Sequence, residues 1–276
     1  MPLRDALKET RDTLAGLGDE ATREAQHLLT ACLNIPLIAQ HTEPERLINA
    51  QQIDKLRAWA ARRASGEPLA YLTGRREFWS LEFAVTPDVL VPRPETELLV
   101  ERILCHGDEL AKRLENGNST SIRVADLGTG SGIIAITVAH ERPDWLCTAV
   151  DVSSKALAIA AENAQNLVAG RVTLRHGSWF EPLADQHFDV IASNPPYVDS
   201  GDPVLKGDSL AFEPLLALTA GPDALAALNH LIEQAPRHLV NGGWLCLEHG
   251  AAQGLAIRER LVARGYAHVV SHRDLA

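Results

Sequence analysis

A chain of 276 residues, 46% hydrophobic and 22% charged, is long enough to bury a substantial core in one large domain or two smaller ones. A formal net charge of −10 supplies no general attraction to phosphate backbones, which argues against nonspecific nucleic-acid binding as its task. No stretch approaches the roughly 18 apolar residues of a membrane helix, and Met1-Pro2-Leu3-Arg4-Asp5 lacks the apolar core of a signal peptide, so a soluble cytoplasmic protein is expected.

From Leu3 to about Ala64 apolar residues recur at helical spacing: Leu3, Ala6, Leu7 and Leu14, then Ala21, Ala25, Leu28, Leu29 and Cys32, then Leu47, Ile53, Leu56 and Ala60. Gly18-Asp19-Glu20 and Thr42-Glu43-Pro44 supply turns and caps, so a small helical bundle is predicted. Arg62-Arg63 and Arg75-Arg76 read as solvated surface. After Gly66-Glu67-Pro68 the period changes, and Phe78, Leu81, Phe83 and Val85 suggest a β-hairpin with extended structure through Val91. The polar stretch from Gly107 to Ser121, with Asn116-Gly117-Asn118-Ser119, reads as a loop.

Beyond it strands and helices alternate. Strands are predicted at Ile122–Leu127, Leu146–Val150, Arg171–Leu174, Phe188–Ala192 and Gly243–Glu248, and helices at Ile133–His140, Lys155–Asn166, Asp223–Leu239 and Gln253–Arg264. Repeated βα units imply an α/β fold with a mostly parallel, doubly wound sheet that binds ligands at the carboxyl ends of its strands.

Two motifs fall at such strand ends. Asp126-Leu127-Gly128-Thr129-Gly130-Ser131-Gly132 joins a strand to a helix, where glycines let the backbone turn sharply and approach a ligand. Its G-x-G-x-G spacing puts Ile133 where a dinucleotide fingerprint needs glycine, which disfavours hydride chemistry. The next strand ends in Asp151, about twenty residues on, where a carboxylate can accept both ribose hydroxyls of an adenosyl ligand. Taken singly, the turn can be a tight connection and Asp151 a helix cap ahead of Lys155; together at this separation they favour a cofactor site. Trp179, after the third strand, can pack on an adenine face or serve as a rim aromatic.

Asn194-Pro195-Pro196-Tyr197 ends the fourth strand and is the most specific signal in the chain. Consecutive prolines fix φ and carry no N–H, so the loop is stiff and its carbonyls are acceptors. The Asn194 side-chain oxygen and the Pro195 carbonyl can accept the two hydrogens of an amide or exocyclic –NH2 group, and Tyr197 can stack on the planar group. Beside an adenosyl site this reads as methyl transfer from a sulfonium donor to a planar nitrogen, with positioning supplying much of the catalysis. The eleven histidines, among them His176, His187 and His249, show no metal-ligand spacing, and no metal is expected. Cys32, Cys105, Cys147 and Cys246 lack paired spacing and read as buried apolar thiols.

These residues resemble the protein-(glutamine-N5) methyltransferases that modify the GGQ glutamine of bacterial peptide chain release factors. The resemblance extends to Gly66-Glu67-Pro68-Leu69-Ala70-Tyr71-Leu72-Thr73-Gly74 and Val91-Pro92-Arg93-Pro94-Glu95-Thr96-Glu97, and to Phe180, Phe212-Glu213-Pro214 and Glu248-His249-Gly250. It implies three parts: a helical docking domain over 1–74, a hairpin linker over 75–92, and a Rossmann-like class I methyltransferase domain over 93–276. It further implies that Gly128, Thr129, Gly130, Ser131, Gly132, Asp151, Trp179 and Asn194 contact S-adenosylmethionine, released as S-adenosylhomocysteine. Asn194, Pro195, Pro196 and Tyr197 would hold the glutamine, with a release factor as protein substrate of a monomeric enzyme. Family members usually continue through a short final strand, whereas this sequence ends at Asp274-Leu275-Ala276.

The alternatives are a ribosomal-protein glutamine methyltransferase and a nucleic-acid amino N-methyltransferase, the latter requiring base flipping and phosphate contacts that the acidic charge opposes. A catalytically silent S-adenosylmethionine-binding scaffold would keep the cofactor motif, but the intact tetrad argues against it.

Overall fold

The structure, a computed structural model, describes residues 1–114 and 121–274. It divides into two compact units, one of residues 1–75 with 206–212, the other of the described part of 76–205 and 213–276.

In the first unit, α1 (Leu3–Thr13), α2 (Ala21–Leu33), α3 (Ala39–Thr42), α4 (Ala50–Ala64) and α5 (Leu69–Thr73) follow one another, with a 3-10 turn at Ala15–Glu20. The positions spaced three and four apart, including Leu3, Ala6, Ala25, Leu28, Leu29 and Leu56, form one buried cluster. The third helix begins later than its apolar run suggests. Leu47 is exposed, and Asn49 caps α4 by accepting from Gln52 N at 2.9 Å while Gln52 returns a bond to Asn49 N at 3.0 Å. The arginine pair is not simply solvated. Arg62 makes a bidentate pair with Glu67 (2.7 and 2.6 Å), tying down the Gly66-Glu67-Pro68 turn, and Arg63 pairs with Glu24 at 3.0 Å.

From Arg76 the second unit opens with a ribbon of β1 (Arg75–Phe78, its first residue still counted with the first unit) and β2 (Leu81–Ala84), shorter than the extended run predicted through Val91 because a turn follows at Thr86, whose carbonyl accepts from Val89 N at 3.1 Å. The helix α6 (Thr96–Leu114) then overturns the predicted loop as far as residue 114; the remainder of that loop, with Asn116-Gly117-Asn118-Ser119, lies outside the described residues. Gly107 is there for contact, not for a turn. A Cβ built on it would stand 2.1 Å from the Trp145 ring, so the helix and Trp145 meet where only a hydrogen fits. On the same helix Leu99, Val100, Ile103 and Leu104 are buried and Cys105 is exposed, which corrects the expectation of a buried thiol; Cys32, Cys147 and Cys246 are buried.

Then come β3 (Arg123–Leu127), α7 (Ile133–Glu141), β4 (Leu146–Asp151), α8 (Ser154–Val168), β5 (Val172–His176), β6 (Phe188–Ser193), α9 (Leu215–Leu218), α10 (Ala226–Gln234), β7 (Leu239–Leu247) and α11 (Gly254–Ala263). The five strands β3 to β7 are parallel in the order β5-β4-β3-β6-β7. This is an α/β sheet wound both ways from β3, as expected. Every residue from Ile133 to Ala139 in α7 is buried, which explains a helix apolar on all sides. The helix predicted over Asp223–Leu239 is shorter, because Pro236 lacks an N–H and a 3-10 turn at Ala235–Arg237 leads into β7. β7 accordingly begins at Leu239, not at Gly243, and among the described residues no strand follows α11.

Candidate active site

Parallel strands end on one edge, so the pairing of β4, β3 and β6 brings three sequence motifs together. Asp126 of β3 is opposite Ala149 of β4 and Ala192 of β6; the glycine turn, Asp151 and the tetrad therefore leave neighbouring strands side by side. Between β3 and β6 the sheet changes winding direction, the place where open α/β sheets bind ligands. A cavity of about 380 Å³ lies there. Gly128, Thr129, Gly130, Ser131, Asp151, Trp179, Asn194 and Pro196 line it, together with Pro92 and Leu216.

The glycine turn is held from several directions. Gly128 N and Thr129 N both donate to Val150 O at 2.9 Å, and Gly130 N donates to Asp151 Oδ2 at 2.8 Å. Gly128, Gly130 and Gly132 have φ of +74°, +56° and +88°, a region that L side chains rarely adopt. At Gly132 a Cβ would also stand 2.5 Å from Ile136 Cδ1, whereas at Gly130 it would meet no atom within 4 Å; the peptide of Gly130 is thus open to the cavity it lines. Asn163, buried in α8, donates to Ser131 O at 2.9 Å and exchanges bonds with Ala84 N and O, joining the turn to the β2 ribbon.

Asp126 lies beneath this turn, fully buried. Its Oδ2 accepts from Thr129 Oγ1 at 2.5 Å and Ala135 N at 3.2 Å, and its Oδ1 has no partner. Burial pushes the carboxyl up to about 7 against the opposing effect of those two hydrogen bonds. Asp151 accepts from Ser153 N at 2.8 Å as well as from Gly130 N, and Ser153, not Asp151, caps α8 by accepting from Ala156 N at 3.2 Å. Two of the carboxylate's four lone-pair directions remain for hydroxyls. The Trp179 ring sits 3.4 Å from where a Gly128 Cβ would be, on a residue with φ +48°.

In the tetrad, Asn194 and Pro196 line the cavity and Pro195 is buried. Asn194 Nδ2 donates to Thr96 Oγ1 at 3.2 Å, and Thr96 Oγ1 donates to Glu248 Oε2 at 2.7 Å. Tyr197 is not among the lining residues of this cavity. Its ring packs with Leu228, Ile232 and Ile257, its hydroxyl donates to Glu248 Oε1 at 3.3 Å, and burial first, then the Glu248 charge, pushes its pKa up to about 12. Burial likewise raises the Glu248 pKa, with the bonds from Thr96 and Tyr197 opposing. Gln253 Nε2 donates to Tyr197 O at 2.9 Å, fixing the loop's far end.

The methyltransferase small domain family matches residues 107–206, and the PrmC N-terminal domain family matches residues 5–74. A release factor glutamine methyltransferase of Pseudomonas aeruginosa is 44% identical across 92% of this chain and 89% of its own length. The chain belongs to the release factor glutamine methyltransferase family. Relatives of the same name from Coxiella burnetii (41% identical, 100% of this chain, 96% of that protein) and Neisseria gonorrhoeae (47%, 82% and 78%) agree. Among solved structures the hMettl16 catalytic domain, in complex with MAT2A 3'UTR hairpin 6, is similar over 75% of this chain and 73% of that one with a TM-score of 0.54; at 17% identity the likeness is one of fold.

For this member of the release factor glutamine methyltransferase family, the structure brings seven of the eight residues expected at the cofactor onto one cavity; the eighth, Gly132, is not among its lining residues and packs against Ile136 instead. Residue chemistry alone missed Thr96, Glu248, Glu213 and Asn163. The first three stand in segments that the family resemblance marked; Asn163 lies inside a helix with nothing in its spacing to distinguish it. Glu213, 4% exposed, accepts from Val91 N at 3.1 Å and Arg93 Nη2 at 2.5 Å, which accounts for two positions of the Val91–Glu97 segment. Among the described residues no cluster of three or more His, Cys, Asp or Glu could hold a metal ion, and no helix is long and apolar enough to cross a membrane.

Proposed function

We propose that the protein transfers a methyl group from S-adenosylmethionine to N5 of the glutamine in the GGQ motif of bacterial peptide chain release factors, in the cytoplasm and as a monomer. The observation that carries the reading is the convergence of Gly128–Ser131, Asp151 and Asn194 on one cavity, within the roughly 300–1,000 Å³ typical of ligand sites. The relatives' name supplies the substrate class.

The residues fit the cofactor. Gly130 gives close backbone approach, Asp151 keeps acceptor capacity for ribose hydroxyls, and Trp179 offers an apolar face at the rim. When bound, S-adenosylmethionine supplies an electrophilic sulfonium methyl. The chain's part is to present the nitrogen. Asn194 Oδ1 and the Pro195 carbonyl accept the two amide hydrogens, and those bonds strengthen as the nitrogen becomes cationic. Holding the nitrogen at near-attack distance supplies several kcal/mol more. Tyr197 serves here as the half-buried anchor of a stiff loop, tied at its hydroxyl and its carbonyl. Residues 1–74 would dock the release factor, with 75–92 as linker and 93–276 performing the chemistry.

The test is methyl incorporation from labelled S-adenosylmethionine into a purified release factor and into its GGQ-to-GGA variant. Labelling of the first alone is expected; equal labelling of both would refute the glutamine assignment.

A further inference from the structure

Asn194 can help an incoming amide only if its own amide faces the right way, because its two ends differ by little more than a proton count. With the oxygen toward the cavity it accepts from the substrate –NH2. Turned over, it sets –NH2 against –NH2. Something must choose between the two, and a chain of bonds behind Asn194 does so.

Glu248 follows β7 directly. Ser193 pairs with Leu247, and Glu248 N donates to Ser193 O at 3.0 Å, so the carboxylate stands beside the tetrad. An ionised carboxylate only accepts. The one Thr96 hydroxyl proton therefore goes to Glu248 Oε2, at 2.7 Å, and the Thr96 oxygen is left to accept. What it accepts is the Asn194 Nδ2–H, at 3.2 Å. Thr96 is fully buried, so no water competes for these positions. It is also fixed at the start of α6, where its N–H donates to Arg93 O at 3.2 Å.

From this polarity, and resting on the amide-methylation reading above, we infer that Thr96 and Glu248 are positioning residues that lock Asn194 with its –NH2 inward and its carbonyl oxygen toward the substrate. The lock runs in one direction. A group that can only accept, at the closed end, fixes the sense of every bond out to the cavity.

The experiment compares wild type with Thr96→Val, Thr96→Ser, Glu248→Ala and the Thr96→Val/Glu248→Ala double variant. It measures kcat and KM on a release factor and S-adenosylhomocysteine binding by calorimetry. Valine removes the hydroxyl at nearly constant volume, and serine restores it. The expected result for Thr96→Val is a kcat at least tenfold lower, with KM and S-adenosylhomocysteine affinity within threefold of wild type and most of the rate recovered by Thr96→Ser. Glu248→Ala should lower kcat comparably, and the double variant should be no worse than the poorer single one, since both act through one amide. A Thr96→Val enzyme at wild-type rate, a Thr96→Ser enzyme no better than Thr96→Val, or losses that multiply in the double variant would each overturn the inference. If Thr96→Val binds no S-adenosylhomocysteine, the Glu248→Ala arm decides alone: an unchanged kcat there refutes the lock. A wild-type protein that fails to label the release factor would instead refute the substrate reading.

Discussion

Asp126 ties the conformation of the glycine turn to pH. Its carboxyl is fully buried beneath Thr129 and Ala135, and burial pushes its pKa from 3.8 up to about 7. The folded protein therefore keeps a proton that the unfolded chain releases at about pH 4. Between those values the native state binds more protons than the unfolded state, so stability falls as pH rises and levels off above about pH 7. At about 1.36 kcal/mol per pKa unit the full span is about 4 kcal/mol, of which about 2.5 kcal/mol falls between pH 5 and pH 8. Asp126→Asn has no proton to lose, and its Oδ1 can still accept from Thr129 Oγ1 and Ala135 N. Urea unfolding of the wild type and Asp126→Asn at pH 5, 6, 7 and 8, followed by circular dichroism, should show the variant gaining on the wild type by about 2.5 kcal/mol across that range. Taking the difference removes the contributions of other titrating groups common to both proteins. Parallel stability curves would refute the raised pKa, and a variant that loses ground with rising pH would reverse the sign of the argument.

Gly107→Ala is expected to destabilise by about 1–3 kcal/mol although alanine favours helices, because the new methyl would overlap the Trp145 ring; a stabilised variant in urea unfolding would show that α6 does not meet that ring. Asp151→Ala should weaken S-adenosylhomocysteine binding by more than tenfold, since it removes the acceptor for Gly130 N along with any ribose contact, whereas Asn194→Ala should leave that affinity within about twofold while removing most turnover. Calorimetry with initial rates separates the two, and the opposite pattern would exchange their roles.

Much of the fold is legible in the sequence, because periodicity follows directly from burial. The helices of the first unit and the five βα strands stand out wherever one face, or every face, meets a core. Reading failed where a residue type has two uses. Gly107 marks a turn in isolation and a close helix contact in the structure, so α6 was hidden behind a punctuation signal. Leu239 begins β7 although the sequence pattern places a helix up to Leu239 and a strand only from Gly243, since pairing with β6 is a tertiary matter. The site divides in the same way. The tight turn, the acid after the second strand and the rigid acceptor loop are local chemistry, visible as Gly128–Gly132, Asp151 and Asn194–Tyr197. That the three motifs leave one sheet edge side by side, with Gly128, Asp151 and Asn194 lining one cavity, depends on strand order, β4 and β6 flanking β3, which no local pattern encodes. Only the assembled sheet turned Tyr197 toward Glu248 and brought Thr96, 98 residues distant in sequence, against Asn194. Hydrogen bonds between residues so far apart are set by packing, and packing is what a single sequence does not display.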